Sequence, residues 1–300
     1  MRQIKSDLKT SAKDRPDFRA ATFDLQQVIH IPKSNRSEIF YKRRLACYNF
    51  TVFELASKQG HCFFWHEAQA KRGANEICSH LYRYLVDLDA NGIKEAALFA
   101  DGCAGQNKNS IMPAMLMYVT QHSQHLKVIT LYFYETSHGQ SEGDSMHSTI
   151  ERMMGRSGDL FIPDQVKTIL RVARKTPYVV HNVETKDIKN WKEHSVTLGI
   201  LRNRTADDGL VIDWTKIKQV QVDFHQPTKI FFKHTHDPAV AMSALSLRRR
   251  GDIMTHPALA YTAPPNLPRA KYDDLKALSS GQNPVVVDPA HQRFYGDLPH

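Results

Sequence analysis

The order of the strand and helix patterns is the feature that most limits how this chain can fold. Three strand patterns come first, at residues 20–31, 45–55 and 61–67, and no helical pattern separates them. Their β-branched and aromatic residues predict strands, and the last two are predicted to form a hairpin. Such a meander argues against a doubly wound sheet, which strictly alternating strands and helices would favour.

Helical and strand patterns alternate after residue 70. Apolar residues at helical spacing predict helices, and short runs of β-formers predict the strands between them. The predicted helices are 73–88, 110–122, 143–156 and 163–175, and the predicted strands are 95–100 and 127–135. This order predicts an α/β, ribonuclease H-like fold, with a mixed five-stranded sheet within residues 20–135 and helices flanking it.

The chain is predicted to divide into four segments. Residues 1–19 are charged and predict a solvated lead-in, and residues 20–175 form the core. The pattern of residues 176–236 is β-like, with "SVTLGI" (195–200) among its predicted strands, and gives a β-rich extension. Residues 237–300 are predicted to form an extended tail that packs on the core, with one short helix near "YDDLKAL" (272–278).

The composition of the chain indicates in which cellular compartment the protein is found. No apolar run approaches the ~20 residues that a membrane span needs, and the N-terminus lacks the apolar region of a signal peptide. The four cysteines lie far apart without a CxxC pair, which argues against a zinc finger and favours reduced thiols. We therefore expect a protein of the nucleus or cytoplasm that is neither secreted nor bound to a membrane.

The chain is strongly basic, with a formal net charge of +9 and a pI near 9.3. That balance favours a polyanionic partner, and DNA is the partner we expect, with RNA as an alternative. Arg171, Arg174 and Lys175, on the basic face of helix 163–175, are candidate backbone contacts, although a charged run is usually a solvated face. A homodimer is compatible with the sequence, which leaves the oligomeric state open.

A carboxylate ends the most apolar strand. Residues 96–100 are apolar and run directly into Asp101, which is followed by Gly102 and Gly105. Asp24 lies within the first predicted strand, and that strand neighbours the strand of Asp101 in a ribonuclease H-like sheet. The two carboxylates are therefore predicted to face each other, although a lone strand Asp is more often a hydrogen-bonding or edge residue.

Two further acids start helices that the fold would bring to the same place. These are Asp144, at the start of helix 143–156, and Glu76, in the first turn of helix 73–88. Together with Asp24 and Asp101 they predict oxygen ligands for Mg²⁺ or Mn²⁺ in a two-metal site. The alternative for Asp144 is an N-cap, and for Glu76 a capping or surface role.

Polar residues around the predicted acids extend the candidate site. The stretch Gln106, Asn107, Lys108 and Asn109 predicts donors to a phosphate backbone, or else an ordinary polar loop and helix cap. In "SHGQSEGDSMHSTIER" (137–152), His138 is a candidate phosphate contact and His147 a proton carrier or phosphate contact. Glu151 is the alternative third acid. Histidines and acids so close together also fit a soft-metal site.

Two of these segments resemble a known domain family. The strings "ADGCAGQNKN" and "SHGQSEGDSMHSTIER", with the earlier Phe23-Asp24, are similar to motifs of an uncharacterised family of eukaryotic, transposon-derived proteins. The resemblance spans roughly residues 20–295. It implies a ribonuclease H-like core of the transposase and integrase kind with an Asp-Asp-Asp/Glu triad. The chain departs from the pattern at Ser137-His138-Gly139, where the family usually carries Gly-His, and no N-terminal DNA-binding module is recognised.

Three functions follow from these observations. The first is metal-dependent phosphodiester cleavage or strand transfer on DNA, which the intact carboxylates at Asp24, Asp101 and Asp144 favour. The second is a domesticated nucleic-acid-binding module that has kept the fold and lost catalysis. The third, hydrolysis of a small phosphorylated substrate, lacks support because no phosphate-cradling motif is present.

Overall fold

The computed structural model of the chain describes residues 1–103, 105–134, 142–200, 205–247 and 253–300. Its strands are β1 Phe18–Leu25, β2 Ile29–Ile31, β3 Leu45–Glu54, β4 Gly60–His66, β5 Glu95–Ala100, β6 Val128–Phe133, β7 Val179–Asn182, β8 Gln219–Asp223, β9 Lys229–Lys233 and β10 Ser243–Ser246. Its α-helices are α1 Arg2–Asp14, α2 Ala74–Ala90, α3 Ile111–His122, α4 Glu142–Arg156, α5 Pro163–Val172, α6 Trp191–Thr197, α7 Arg269–Ser280 and α8 Pro289–Gly296.

The strands form one mixed sheet. Its order is β10-β9-β8-β6-β5-β1-β3-β4-β7, with β2 also pairing with β3. β1 lies in the middle, antiparallel to β3 on one side and parallel to β5 on the other. β4 is antiparallel to β3, and β6 is parallel to β5. The α/β class and the flanking helices are confirmed, but the sheet has ten strands within the described residues where five were predicted.

Helices cover both faces of the sheet. α2, α3 and α6 bury one face, where Phe50, Phe63 and Leu98 pack against the helix residues Ile77 and Trp191. On the other face, α4, α5, α7 and α8 cover the half of the sheet formed by β2, β3 and β4. α1 covers β1 and β5 on that second face. Apolar residues therefore occupy both sides of the central strands, as burial on two faces requires.

The N-terminal segment is a packed helix, which corrects the predicted solvated lead-in. Ile4, Leu8 and Ala12 recur every four residues, so one face of α1 carries its apolar side chains. Ala12 is buried, and Leu8 packs against the cluster that β1 and β5 contribute. The prevalence of charged residues hid this stripe, because the opposite face of a surface helix is expected to be charged.

The predicted first strand is divided in two. β1 ends at Leu25 and β2 begins at Ile29, and both pair with β3. Between them the Gln26 N–H donates to the Asn49 carbonyl (3.0 Å), and the Asn49 side-chain amide donates to Gln26 Oε1 (2.9 Å). The two amide side chains hold the interruption together.

The β-rich extension continues the core sheet and contains a helix. β8 pairs with β6 and β9 pairs with β8, so these strands lengthen the sheet. The strand predicted over "SVTLGI" is wrong, because α6 occupies 191–197. Trp191, His194 and Ser195 are buried at helical spacing, and this spacing outweighs the β-forming residues of the segment.

The predicted C-terminal tail carries more structure than one helix. The helix near residues 272–278 is confirmed as part of α7. β10 joins the sheet beside β9, and α8 follows an Asp288 cap whose carboxylate accepts from the Ala290 N–H (2.8 Å). No helix of the described residues is both long enough and apolar enough to cross a membrane.

Candidate metal centre

Asp24 and Asp101 lie at the same edge of the sheet because their strands pair in parallel. The last registered pair of β1 and β5 is Thr22 with Phe99. Asp24 and Asp101 each follow that pair by two residues, so the two strands carry them to the same level. The prediction that the strands leading to these two acids are neighbours is confirmed, and Asp101 itself directly follows the last residue of β5.

Asp24 is a partly buried carboxylate in an acidic environment. Its side chain is 29% exposed, and its Oδ1 accepts from the Leu25 N–H (2.7 Å). Burial, with smaller contributions from the negative charges of Asp101 and Asp144, raises the pKa of Asp24 from 3.8 to about 7. Carboxylates repel in this way when no cation offsets their charge.

α4 brings two more polar groups to Asp24. Asp144 lies in its first turn, and His147 follows three residues later on the same face of the helix. One ligand atom each from Asp24, Asp144 and His147 lies within 4.8 Å of the other two. The distance from His147 Nδ1 to Asp24 Oδ2 is 3.9 Å. The three side chains therefore enclose a space in which one cation could contact them all.

Thr51 of β3 orients the His147 ring. Its hydroxyl lies 2.7 Å from His147 Nε2 and 3.2 Å from the carbonyl oxygen of Asp24, with which Thr51 is in register. When the hydroxyl donates to that carbonyl, it accepts from Nε2–H, and Nδ1 is then the ring nitrogen with a lone pair. Burial lowers the pKa of His147 to about 4, so the ring is neutral near pH 7. Nδ1 can then act as a ligand directed at Asp24.

The loop after β5 fixes Asp101. Its Oδ1 accepts from the Asn107 amide (2.6 Å) and from the Cys103 N–H (3.2 Å). Asp101 is not one of the three groups within 4.8 Å of each other, yet its charge contributes to the raised pKa of Asp24. It therefore adjoins the cluster and is positioned by its own loop.

Of the two alternatives for the third acid, Asp144 is the one beside Asp24. Glu151 lies seven residues further along α4, which corresponds to about 10 Å of helix. Its Oε1 is 3.4 Å from the Gln26 side-chain amide, where β1 ends. Glu151 therefore adjoins the end of β1 and lies outside the cluster, about two helical turns beyond Asp144 and one turn beyond His147.

This difference predicts how metal affinity responds to each acid. Asp144→Asn should weaken Mn²⁺ binding about 10-fold or more, because it removes a charged oxygen ligand. Glu151→Gln should change affinity less than about 3-fold, because Glu151 lies outside the cluster. Isothermal titration calorimetry on the two purified variants measures both values. A loss for Glu151→Gln as large as that for Asp144→Asn would contradict the assignment.

Glu76, predicted as a metal ligand, has a structural role instead. It is buried, and its Oε2 accepts from the Gly73 N–H (2.8 Å) at the start of α2. Its Oε1 accepts from the Tyr261 hydroxyl. Both oxygens are thus occupied by a helix cap and a tyrosine from the C-terminal segment, which is the capping alternative that the sequence left open.

The predicted phosphate donors after Asp101 mostly shape their own loop. Asn107 is buried and donates to Asp101, and Asn109 Oδ1 accepts from the N–H groups of Ile111 and Met112, which caps α3. Gln106 donates its backbone N–H to Cys103. Lys108 lies over the Phe133 ring at 5.6 Å and has little exposed surface.

The remaining predicted contacts lie elsewhere. His138 falls outside the described residues. Arg171 is exposed in the last turn of α5, and Lys175 is exposed three residues after α5, which ends at Val172 and not at the predicted residue 175. Arg174 donates to the Lys58 carbonyl (3.0 Å) and lies over the Tyr178 ring. Their part in nucleic-acid binding stays a prediction.

One residue of the site was missed in the sequence. Thr51 is, like Asn49, a buried polar residue of the mostly apolar strand β3, and it pairs with Asp24. A polar residue among strand residues that are buried on both faces is a signal of a hydrogen-bonded partner. The partner could not be identified before the strand register was known.

The donor set fits a divalent cation. Two carboxylates and a neutral imidazole converge, a third carboxylate adjoins them, and the pKa of Asp24 is raised first by burial and then by the charges of Asp101 and Asp144. Carboxylates suit Mg²⁺ and Mn²⁺, whereas an imidazole ligand favours the softer ion of the two. The residues therefore fit Mn²⁺ better than Mg²⁺.

Comparison with known proteins gives one match. The model of a family described as "Domain of unknown function (DUF7869)" matches residues 50–205. The matched segment contains Thr51, Asp101, Asp144 and His147, and begins after Asp24. No curated protein and no solved structure matches the chain.

Proposed function

The chain belongs to the DUF7869 family, and we propose that it is a ribonuclease H-like, metal-dependent enzyme that cleaves or transfers phosphodiester bonds of DNA. The observation that carries the proposal is the convergence of Asp24, Asp144 and His147 within 4.8 Å, with Asp101 beside them. Such a set of acids is costly without a cation and useful with one.

The fold supports this proposal. A ribonuclease H-like core requires a central first strand with its antiparallel hairpin on one side and two parallel strands on the other. β1, β3 and β4, with β5 and β6 across β1, have this order and these directions. The motif resemblance adds a transposase-type origin to the proposal, on fold-level analogy alone.

Each residue has a distinct part in the proposed reaction. A divalent cation held there would activate a water molecule and offset the charge that develops on the leaving oxygen. Asp24, Asp144 and His147 would bind it, and Thr51 keeps the imidazole in the orientation that directs Nδ1 toward Asp24. Asp101, held by Asn107, presents a further carboxylate from the next strand. Neutral His147 adds a ligand without adding negative charge next to the phosphate.

A cleavage assay tests the proposal. We expect the purified protein to cut labelled single-stranded, duplex or branched DNA with Mn²⁺, more slowly with Mg²⁺, and not with EDTA. Calorimetry should show that Mn²⁺ binds under the same conditions. If Mn²⁺ binds and none of the three DNA forms is cut, the enzyme proposal fails, and the second hypothesis, a catalytically inactive binding module, is favoured.

A further inference from the structure

Lysine residues lie further along the edge of the sheet that carries Asp24 and Asp101. Ala100 of β5 is in register with Phe133 of β6. The Phe133 N–H donates to the Lys218 carbonyl (2.9 Å), and the Lys218 N–H donates to the Lys233 carbonyl (2.8 Å). Lys218 precedes β8 and Lys233 ends β9, so both lie on the same edge as the metal centre.

Other basic side chains surround these two lysines. We call Lys108, Lys216, Lys218, Lys233 and His234 the basic edge. The positive charge of Lys218 acts on Lys108, and both Lys108 and Lys216 act on His234, so these four groups are close to one another. Lys233 directly precedes His234 in the chain. Burial, followed by the charge of Lys218, lowers the pKa of the Lys108 ammonium.

Asp213 is a carboxylate that faces the basic edge. Asp213 acts on both Lys108 and His234. It also lies 3.5 Å from the Lys216 ammonium and accepts two hydrogen bonds from Thr215. Within the described part of the chain, four lysines lie on this edge beside Asp213, and Nε2 of His234 is buried without a hydrogen-bond partner among the same residues.

The basic edge and the metal centre are contiguous. The stem of Lys108 passes Gly102, the residue after Asp101, so closely that a Cβ there would lie 3.9 Å from Lys108 Cδ. Neighbouring strands are about 4.8 Å apart. Lys218, two strands from Asp101, is therefore about 10 Å away, and Lys233 is about 14 Å away. Phosphates of one DNA strand rise about 3.4 Å each along a duplex, so this distance corresponds to about three or four nucleotides.

We propose that the basic edge binds the phosphate backbone of a nucleic-acid strand a few nucleotides from the bond at the metal centre. The inference rests on the proposed function, and it identifies the substrate as a polynucleotide. Lysines contact phosphate as point charges without reading bases, so this contact carries no sequence preference. The strands β8 and β9, which lengthen the predicted five-stranded sheet, thereby extend the substrate surface beyond the acids.

A binding experiment without metal tests the inference independently of activity. The probe is a fluorescein-labelled 20-nucleotide single-stranded DNA in EDTA, followed by anisotropy at several salt concentrations. The double variant Lys218→Gln/Lys233→Gln should bind about 10-fold more weakly at 0.1 M salt. It should also show a shallower salt dependence, with the logarithmic slope reduced by about 1.4, the value for two single-strand phosphate contacts.

A matched variant separates local contact from net charge. Lys192→Gln/Lys276→Gln removes the same charge from exposed positions in α6 and α7, and it should bind within about 2-fold of the wild type. Equal losses for the two double variants would overturn the inference, as would wild-type affinity and salt slope for Lys218→Gln/Lys233→Gln.

An activity ratio separates this inference from the proposed function. Cleavage rates with Mn²⁺ are measured on the 20-mer and on bis(p-nitrophenyl) phosphate, and the first rate is divided by the second. This ratio should be about 10-fold lower for Lys218→Gln/Lys233→Gln than for the wild type. An unchanged ratio overturns the inference while leaving cleavage intact. A wild type that cleaves neither substrate contradicts the proposed function, and the anisotropy result then still decides whether the basic edge binds nucleic acid.

Discussion

Asp101→Asn should lower metal-dependent cleavage by on the order of a hundredfold or more. Asparagine keeps the size of the side chain, and its Oδ1 can still accept from the Asn107 amide that holds Asp101 in place. The substitution removes the negative charge that Asp101 places beside the three ligands and that helps to hold a cation there. The fold and DNA binding should therefore be retained, and binding should tighten slightly, because a charge next to phosphate is removed.

Rates measured on the same labelled DNA with Mn²⁺ test this expectation across the cluster. Asp24→Asn and Asp144→Asn should show losses similar to that of Asp101→Asn, since Asp144 lies within 4.8 Å of the other two groups of the cluster. Asp273→Asn is the matched control, because Asp273 is an exposed residue of α7 paired with Arg269. An Asp101→Asn protein that cleaves as fast as the control would eliminate the site assignment.

Asp24→Asn should stabilise the metal-free protein at pH 8 while it eliminates activity. The folded state keeps the Asp24 proton up to a pKa of about 7, whereas the unfolded chain releases it near 3.8. Between these pH values the folded state binds more protons, so the free energy of unfolding falls as pH rises. The cost reaches at most about 4 kcal/mol above pH 7, and a neutral asparagine does not incur it.

Thermal unfolding in EDTA at pH 4, 6 and 8 measures this effect. The difference in the free energy of unfolding between Asp24→Asn and the wild type should grow with pH through this range and level off above pH 7. Mn²⁺ at pH 8 should stabilise the wild type and have little effect on Asp24→Asn. If Asp24→Asn is less stable than the wild type at pH 8, the prediction is contradicted. The hydrogen bonds of Asp24 would then stabilise the folded state by more free energy than its buried charge costs.

The centre of the fold was predictable because its signals are local. The apolar run before Asp101 indicated a buried strand, and the order of the elements indicated that β1 and β5 would be neighbours. Parallel pairing then fixed Asp24 and Asp101 at one edge, as the structure shows. The helical spacing of Asp144 and His147 was also readable, since residues three apart share a helix face.

The parts that were not predictable depend on contacts between distant segments. Glu76 was expected to join the acids, but Tyr261, 185 residues later, provides one of its partners. Thr51 joins the site through a strand register that no local pattern encodes. The segment containing Ser195 has β-forming residues, yet it forms a helix because the helix buries Trp191 against the core. In each case tertiary packing outweighs the local preference.

Because β1 lies in the middle of the sheet, the segment that can fold by itself is longer than the segment that the family model matches. β1 pairs with β3 on one side and β5 on the other. β5 lies wholly within residues 50–205 and β3 lies half within them, whereas β1 precedes them. Residues 50–205 alone would leave two strand edges open in the middle of the sheet, where unpaired backbone groups promote aggregation. They would also lack Asp24. The smallest autonomous domain of this architecture therefore includes the N-terminal strand, and a search for relatives gains specificity when it requires an aspartate in a strand upstream of the matched segment.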